Sequence, residues 1–295
     1  MVIRSATKFL FSSLALLLTM QHPAISQLNT LDIKPDVVYG HKDGMALTFD
    51  VFQPKENGNG IGLLFMVSGG WVSMWAPPEQ SVGLIRPLLD KGYTVFCVRH
   101  GSSPRYLIPE ISEDVRSALS FISEHAQDYQ VDPNRLGVFG FSAGGHLSLL
   151  LGTIGGKPNA KLGKGNPRVA AVVAVFPPTD LNPYVDPKNP LREQFPALKF
   201  SPSKADDFSP LKHVTSEDAP TLLVHGDKDE LVPLWHSEKI HEAFDAAKVA
   251  NRLVVIKGAA HGFNAEGNKT MVDNMVQWFD EHLKNKETST ETEGK

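Results

Sequence analysis

Several stretches of this chain are apolar on both faces of any strand they could form, among them "LGVFGF" (136–141), "VAAVVAVF" (169–176) and "TLLVHG" (221–226). Such strands need cover above and below, which a largely parallel sheet sandwiched between helices provides. Further strands are predicted at "MALTFDVF" (45–52), "IGLLFMV" (61–67), "YTVFCV" (93–98) and "RLVVIKG" (252–258). Apolar residues at three- and four-residue spacing place helices at about 80–91, 110–128, 143–153, 235–248 and 269–284. The fold class is therefore α/β, with a mostly parallel central sheet flanked by helices on both faces.

With 295 residues, 41% of them hydrophobic, the chain can bury one large core. Its formal charge of −4 and the lack of a basic stripe argue against nucleic acid and polyanionic partners. The single cysteine, Cys97, lies within an apolar run, where it reads as a small buried hydrophobe. Residues 1–26 resemble a signal peptide. Arg4 and Lys8 precede a short apolar run, and "AIS" offers a cleavage site after Ser26. An uncleaved N-terminal anchor is the alternative; with cleavage, the protein is secreted or periplasmic and keeps no stable membrane insertion. Residues 27–285 then form one domain and 286–295 a disordered tail. Residues 177–219, rich in proline and charge, interrupt two core strands and read as a small lid or substrate-facing excursion.

The pentapeptide "GFSAG", Gly140 to Gly144, follows a predicted strand and opens a predicted helix. A G-x-S-x-G sequence in that setting forms a tight corner that presents the serine hydroxyl, here that of Ser142. The helix start leaves backbone N–H groups unpaired beside it, Ala143's among them. Taken alone, the pentapeptide is equally compatible with an ordinary N-cap serine.

Two later segments change that balance. "HGDKDELVP" and "GAAHGF" each leave the carboxyl end of a predicted strand, the sheet edge on which Ser142 also sits. A serine hydroxyl needs a base to remove its proton and an acid to orient that base. His261 can supply the base, and spacing leaves Asp227 and Asp229 both open as the acid.

In this order and spacing, "GFSAGGH", "HGDKDELVP" and "GAAHGF" resemble the α/β-hydrolase superfamily over residues 40–284. The segments "SGGWVS" (68–73) and 113–148 are most similar to serine carboxylesterases of the acetyl and feruloyl esterase type. The resemblance implies Ser142 as nucleophile, His261 as general base and Asp229 as the acid, with no cofactor and no metal. It also implies an oxyanion hole from Gly70 or Trp71 together with Ala143. Esterases of this type often carry H-G-G-G-W where this chain reads Val67-Ser68-Gly69-Gly70-Trp71. The histidine that would brace that loop is missing.

Other residues receive plainer readings. His146 is expected to pack beside the site, His225 to brace the acid loop, and Glu113 and Asp114 to complement a helix dipole. His236 and His241, five apart, do not share a helix face for a metal. Gly69 and Trp75 are candidates for the substrate pocket. The implied activity is hydrolysis of short-chain or carbohydrate esters, small or polysaccharide-linked, through an acyl-enzyme. Two alternatives stand beside it, a prolyl-oligopeptidase-like peptidase and a non-catalytic binding module on a hydrolase scaffold.

Overall fold

A computed structural model describes residues 28–154 and 167–284; the expected signal peptide, residues 155–166 and the expected disordered tail lie outside them. The centre is an eight-stranded sheet in the order β1-β2-β4-β3-β5-β6-β7-β8. The strands are β1 (Leu31–Lys42), β2 (Met45–Pro54), β3 (Gly62–Met66), β4 (Thr94–Val98), β5 (Leu136–Phe141), β6 (Ala171–Val175), β7 (Thr221–Gly226) and β8 (Asn251–Ile256). From β4 through β8 all neighbours are parallel, and β1 and β2 add an antiparallel end. This is the α/β-hydrolase fold.

The doubly apolar strands are covered as their sequence requires. On one face lie α1 (Pro78–Leu89) and α7 (Ala265–Phe279), whose Val82, Ile85, Met271 and Trp278 pack on Leu63, Val95 and Val173. On the other lie α2 (Ile108–Glu124), α3 (Ala143–Thr153) and α6 (Trp235–Ala246), packed on Leu64, Phe96, Val138 and Leu223. Helix α3 sits so deep that Leu147, Leu149, Leu150 and Leu151 are all buried.

The strand absent from the sequence reading is β1. Pro35 removes a donor from the run "LDIKPDVVYGHK", and the pairing slips between Lys34 and Val37 at a bulge. Proline and a bulge mark an edge strand, which tolerates both. The 177–219 excursion folds into α4 (Asn182–Val185), α5 (Leu191–Gln194) and four 3-10 turns. Its Leu181, Tyr184, Leu198 and Phe200 join the core beside α3.

One ion-pair cluster fastens the antiparallel end to the parallel sheet. Arg99, directly after β4, reaches both carboxylate oxygens of Asp50 at 2.6 and 2.9 Å and one oxygen of Asp36 at 2.7 Å. Asp50 is only 2% exposed, so its charge depends on that fork. Replacing Arg99 by Met should cost about 3–5 kcal/mol, because a buried carboxylate is left unpaired. Urea unfolding followed by circular dichroism measures the loss, and Arg99→Met/Asp50→Leu should recover much of it.

Candidate active site

Strands β3 and β5 are neighbours in the sheet, and the chain leaves β3 towards β4 on one side and returns to β5 on the other. Such a switch point opens a crevice at the carboxyl ends of the strands. Ser142 stands there, between β5 and α3, with φ 53° and ψ −117°. Few non-glycine residues hold such angles, so the corner must be over-determined by its surroundings. Its N–H donates to the Val175 carbonyl at 2.9 Å, and a Cβ on Gly140 would come within 2.4 Å of Gly144 backbone. Helix and strand meet there closely enough to force the turn.

The Ser142 hydroxyl lies 2.9 Å from His261 Nε2, and His261 Nδ1 lies 2.7 Å from Asp229 Oδ2. The three expected partners, 119 residues apart at the widest, thus form one hydrogen-bonded chain. Asp229 also accepts the backbone N–H groups of Leu231 and Val232 through its other oxygen, at 3.0 and 2.9 Å. Burial works to raise its pKa, but the contacts from His225 and His261 and the Val232 amide outweigh burial. The carboxyl is held well below the usual carboxylate range and stays ionised. Asp227, the other spacing-compatible acid, instead accepts the Gly258 N–H at 2.6 Å and ties two loops together. His225 braces the acid loop: its Nε2–H donates to the Val232 carbonyl at 2.7 Å while lying 3.4 Å from Asp229.

Gly69 and Val72 pair across a tight turn, with Gly70 and Trp71 at its corners, both at positive φ of 56° and 60°. Paired positive φ values are those of a type I′ turn. Among the described residues, the N–H groups of Gly70, Trp71 and Ala143 find no acceptor. All three belong to segments that border Ser142.

The brace that the sequence lacks is supplied from elsewhere. His100, at the end of β4, gives its Nδ1–H to the Gly101 carbonyl at 2.9 Å, so Nε2 is left to accept the Ser68 hydroxyl at 2.8 Å. Trp71 is held independently. Its indole N–H donates to His146 Nδ1 at 3.2 Å, and His146 Nε2–H donates to the Phe208 carbonyl at 2.8 Å. His146 therefore links the loop, α3 and the excursion. Asp114 is also more than a dipole partner. Buried at 4% exposure, it accepts the Gly101 N–H at 2.9 Å and Lys42 Nζ at 2.6 Å. His100 was missed from the sequence; its place just beyond β4, on the site's sheet edge, is the one signal it offers, and nothing in its spacing names a partner.

A cavity of ≈ 30 Å³ adjoins Ser142. Gly70 and Trp71 form one wall, Leu231 and Val232 another, and Pro178, Tyr184, Leu191, Phe195 and Leu198 of the excursion close the rest. Neither Gly69 nor Trp75 is on that wall. Trp75 stands 59% exposed, its indole N–H 3.3 Å from Asp36. His236 is buried in the excursion's base against Tyr184, and among the described residues no cluster suits a metal ion.

The BD-FAE family model matches residues 49–244, two-thirds of the chain and all of the segment that carries the elbow, the loop and the acid. The chain belongs to the BD-FAE family. It is thereby a member of the serine hydrolases of the α/β-hydrolase superfamily, and residues 200–290 also match the model of TAP-like proteins. LipC of Mycobacterium tuberculosis, an esterase, is 27% identical over 77% of this chain and 59% of its own length. Ethyl acetate hydrolase of Pseudomonas putida is 27% identical over 80% of this chain and 77% of its own. The chain spans about half the length of LipM, a probable carboxylic ester hydrolase of M. tuberculosis to which it is 29% identical. Among solved structures, a truncated carbohydrate esterase from gut microbiota superposes with TM-score 0.69 at 24% identity, over 88% of this chain and 99% of that one. Native esterase 2 of Thermogutta terrifontis gives 0.70 at 22% identity, over 93% of this chain and all of that one. At these identities the two structures share the fold.

Burial lowers the pKa of His100 and of His146 to about 4 and that of His236 to about 3, so all three are neutral in the folded protein near pH 7. In the unfolded chain each returns to its ordinary 6.5 and binds a proton sooner. Stability should therefore fall as pH drops from about 6.5 to about 4, where the unfolded state takes up more protons. Urea midpoints across that range should decline steadily, and His146→Gln should flatten the slope.

Proposed function

We propose that the protein hydrolyses carboxylic esters through an acyl-enzyme formed on Ser142. The carrying observation is the continuous hydrogen-bonded chain from the Ser142 hydroxyl through His261 to an ionised, buried Asp229. In this reading Ser142 Oγ attacks the ester carbonyl as its proton passes to His261 Nε2. Asp229 keeps the proton on Nδ1 and offsets the imidazolium charge without being protonated itself. The carbonyl oxygen becomes an oxyanion and moves towards the N–H groups of Ala143 and of Gly70 or Trp71. Each such donor contributes about 3 kcal/mol when it is preorganised. His261 then returns the proton to the departing alcohol, and water repeats the sequence to release the acid.

The loop struts fit the same role. His100 through Ser68, and His146 through Trp71, fix amides that must already point at the oxyanion before charge develops. A preorganised donor needs no reorganisation in the transition state, which makes it more effective than water. The acyl group enters the cavity of ≈ 30 Å³, a space small enough to favour short acyl chains over long ones. The relatives named esterases and ester hydrolases support an ester over an amide substrate, although two Bacillus subtilis relatives are named as uncharacterized peptidases. A carbohydrate ester is the finer substrate class we favour, on the likeness to the gut-microbiota carbohydrate esterase and to the acetyl and feruloyl esterases. Export, as the N-terminal sequence suggests, would put the enzyme where such polymers are met.

Three measurements test this reading. A fluorophosphonate probe should label the wild type but not Ser142→Ala, whose turnover of p-nitrophenyl acetate should fall at least about 10⁴-fold. On p-nitrophenyl esters, kcat/KM should drop sharply from butyrate to octanoate, and a proline-containing anilide should be a poorer substrate than acetate. Ser68→Ala should lower kcat by about 10-fold or more with little change in KM, since the loop acts on the transition state. A wild type that is folded but neither labelled nor active would support the binding-module alternative.

A further inference from the structure

The base of the excursion holds a hydrogen-bond relay that ends at the cavity wall. The Thr179 N–H donates to His236 Nδ1 at 3.1 Å, and the Asp180 N–H lies 3.4 Å from the same atom. A ring nitrogen that accepts from backbone amides carries no proton. The Thr179 hydroxyl does not compete, because it donates to the His236 carbonyl at 2.8 Å. The proton of this buried, neutral ring is therefore on Nε2, which donates to the Tyr184 hydroxyl at 2.7 Å.

A tyrosine oxygen that accepts from a fixed N–H must send its own proton elsewhere. Burial first, and then the charges of Asp229 and Asp180, push the Tyr184 pKa well above its ordinary range, so that proton is retained. Tyr184 is 8% exposed, and among the described residues nothing accepts from its hydroxyl. It lines the cavity that also reaches Ser142 and Gly70. The neighbouring walls of Leu191, Phe195, Leu231 and Val232 offer carbon side chains, and the Trp71 indole N–H is already spent on His146. A buried hydroxyl with no protein acceptor is free to donate to a ligand, and a ligand atom able to accept from it is correspondingly selected.

The cavity also has a defined side. His261 must hand its proton to the leaving alcohol, yet it is not on this wall, whereas Ser142 and the Gly70 turn are. The cavity is thus on the acyl side. We propose that Tyr184 is a specificity-determining residue whose hydroxyl donates to an oxygen on the acyl group. The pocket then prefers short hydroxyacyl or alkoxyacyl chains over all-carbon chains of equal length. The proposal rests on the ester-hydrolase reading of Ser142.

The test compares p-nitrophenyl methoxyacetate with p-nitrophenyl butyrate, whose acyl groups have the same number of heavy atoms and differ by one ether oxygen. Each kcat/KM is divided by the hydroxide-catalysed rate constant of the same ester, which removes the difference in intrinsic reactivity. The normalised ratio should favour methoxyacetate in the wild type and fall at least tenfold in Tyr184→Phe. A wild-type ratio of one or below overturns the proposal without need of any variant. So does a ratio equal in wild type and a folded Tyr184→Phe. Failure of the wild type to hydrolyse either ester removes the ester-hydrolase reading itself, a result separable from the other two.

Discussion

Everything at this site depends on one forced corner. Ser142 holds backbone angles that a non-glycine residue adopts only under compulsion, and the compulsion is the near-contact of β5 with α3 at Gly140 and Gly144. Because α3 is buried at every residue but Gly152, it cannot retreat to relax the turn. The same burial points its first amides at the serine. Core packing thus sets the Ser142 hydroxyl and the unpaired Ala143 amide side by side, as a consequence of one helix being apolar on every side.

Around that corner, buried histidines act as struts. His100, His146, His225 and His236 are all buried, and each joins two elements through its two ring nitrogens. An imidazole is suited to this because one nitrogen donates while the other accepts, so it can bridge a carbonyl and a hydroxyl or amide with no net charge to bury. His261, by contrast, is partly open to solvent.

Most of the sheet was legible because its strands are apolar on both faces, a pattern that admits few architectures. β1 was not, since Pro35 and the bulge break its alternation while its partners in β2 lie far from the local window. The Ser142, Asp229 and His261 positions were readable from residue type, order and place at strand ends. Spacing alone left Asp227 and Asp229 both open; the family resemblance pointed to Asp229, and the loop's return brings that carboxylate to His261 while Asp227 ties to Gly258. The loop brace was invisible for a related reason. Ser68 and His100 are 32 residues apart, just beyond the ends of strands adjacent in space, and a hydroxyl-imidazole pair has no local sequence signature. The role of Tyr184 depends on a tautomer set by two backbone amides and so exists only in three dimensions.

Arg99 and His100 are consecutive, yet one clamps the outer strands and the other steadies the amide turn, while Trp75 reaches back to Asp36 in β1. The loop beside Ser142 is thus moored to the far edge of the sheet as well as to its centre. A shortened chain beginning at β3 would keep every residue assigned to bond cleavage and still lose the mooring. The smallest piece that carries the reactive groups is smaller than the smallest piece that can hold them still.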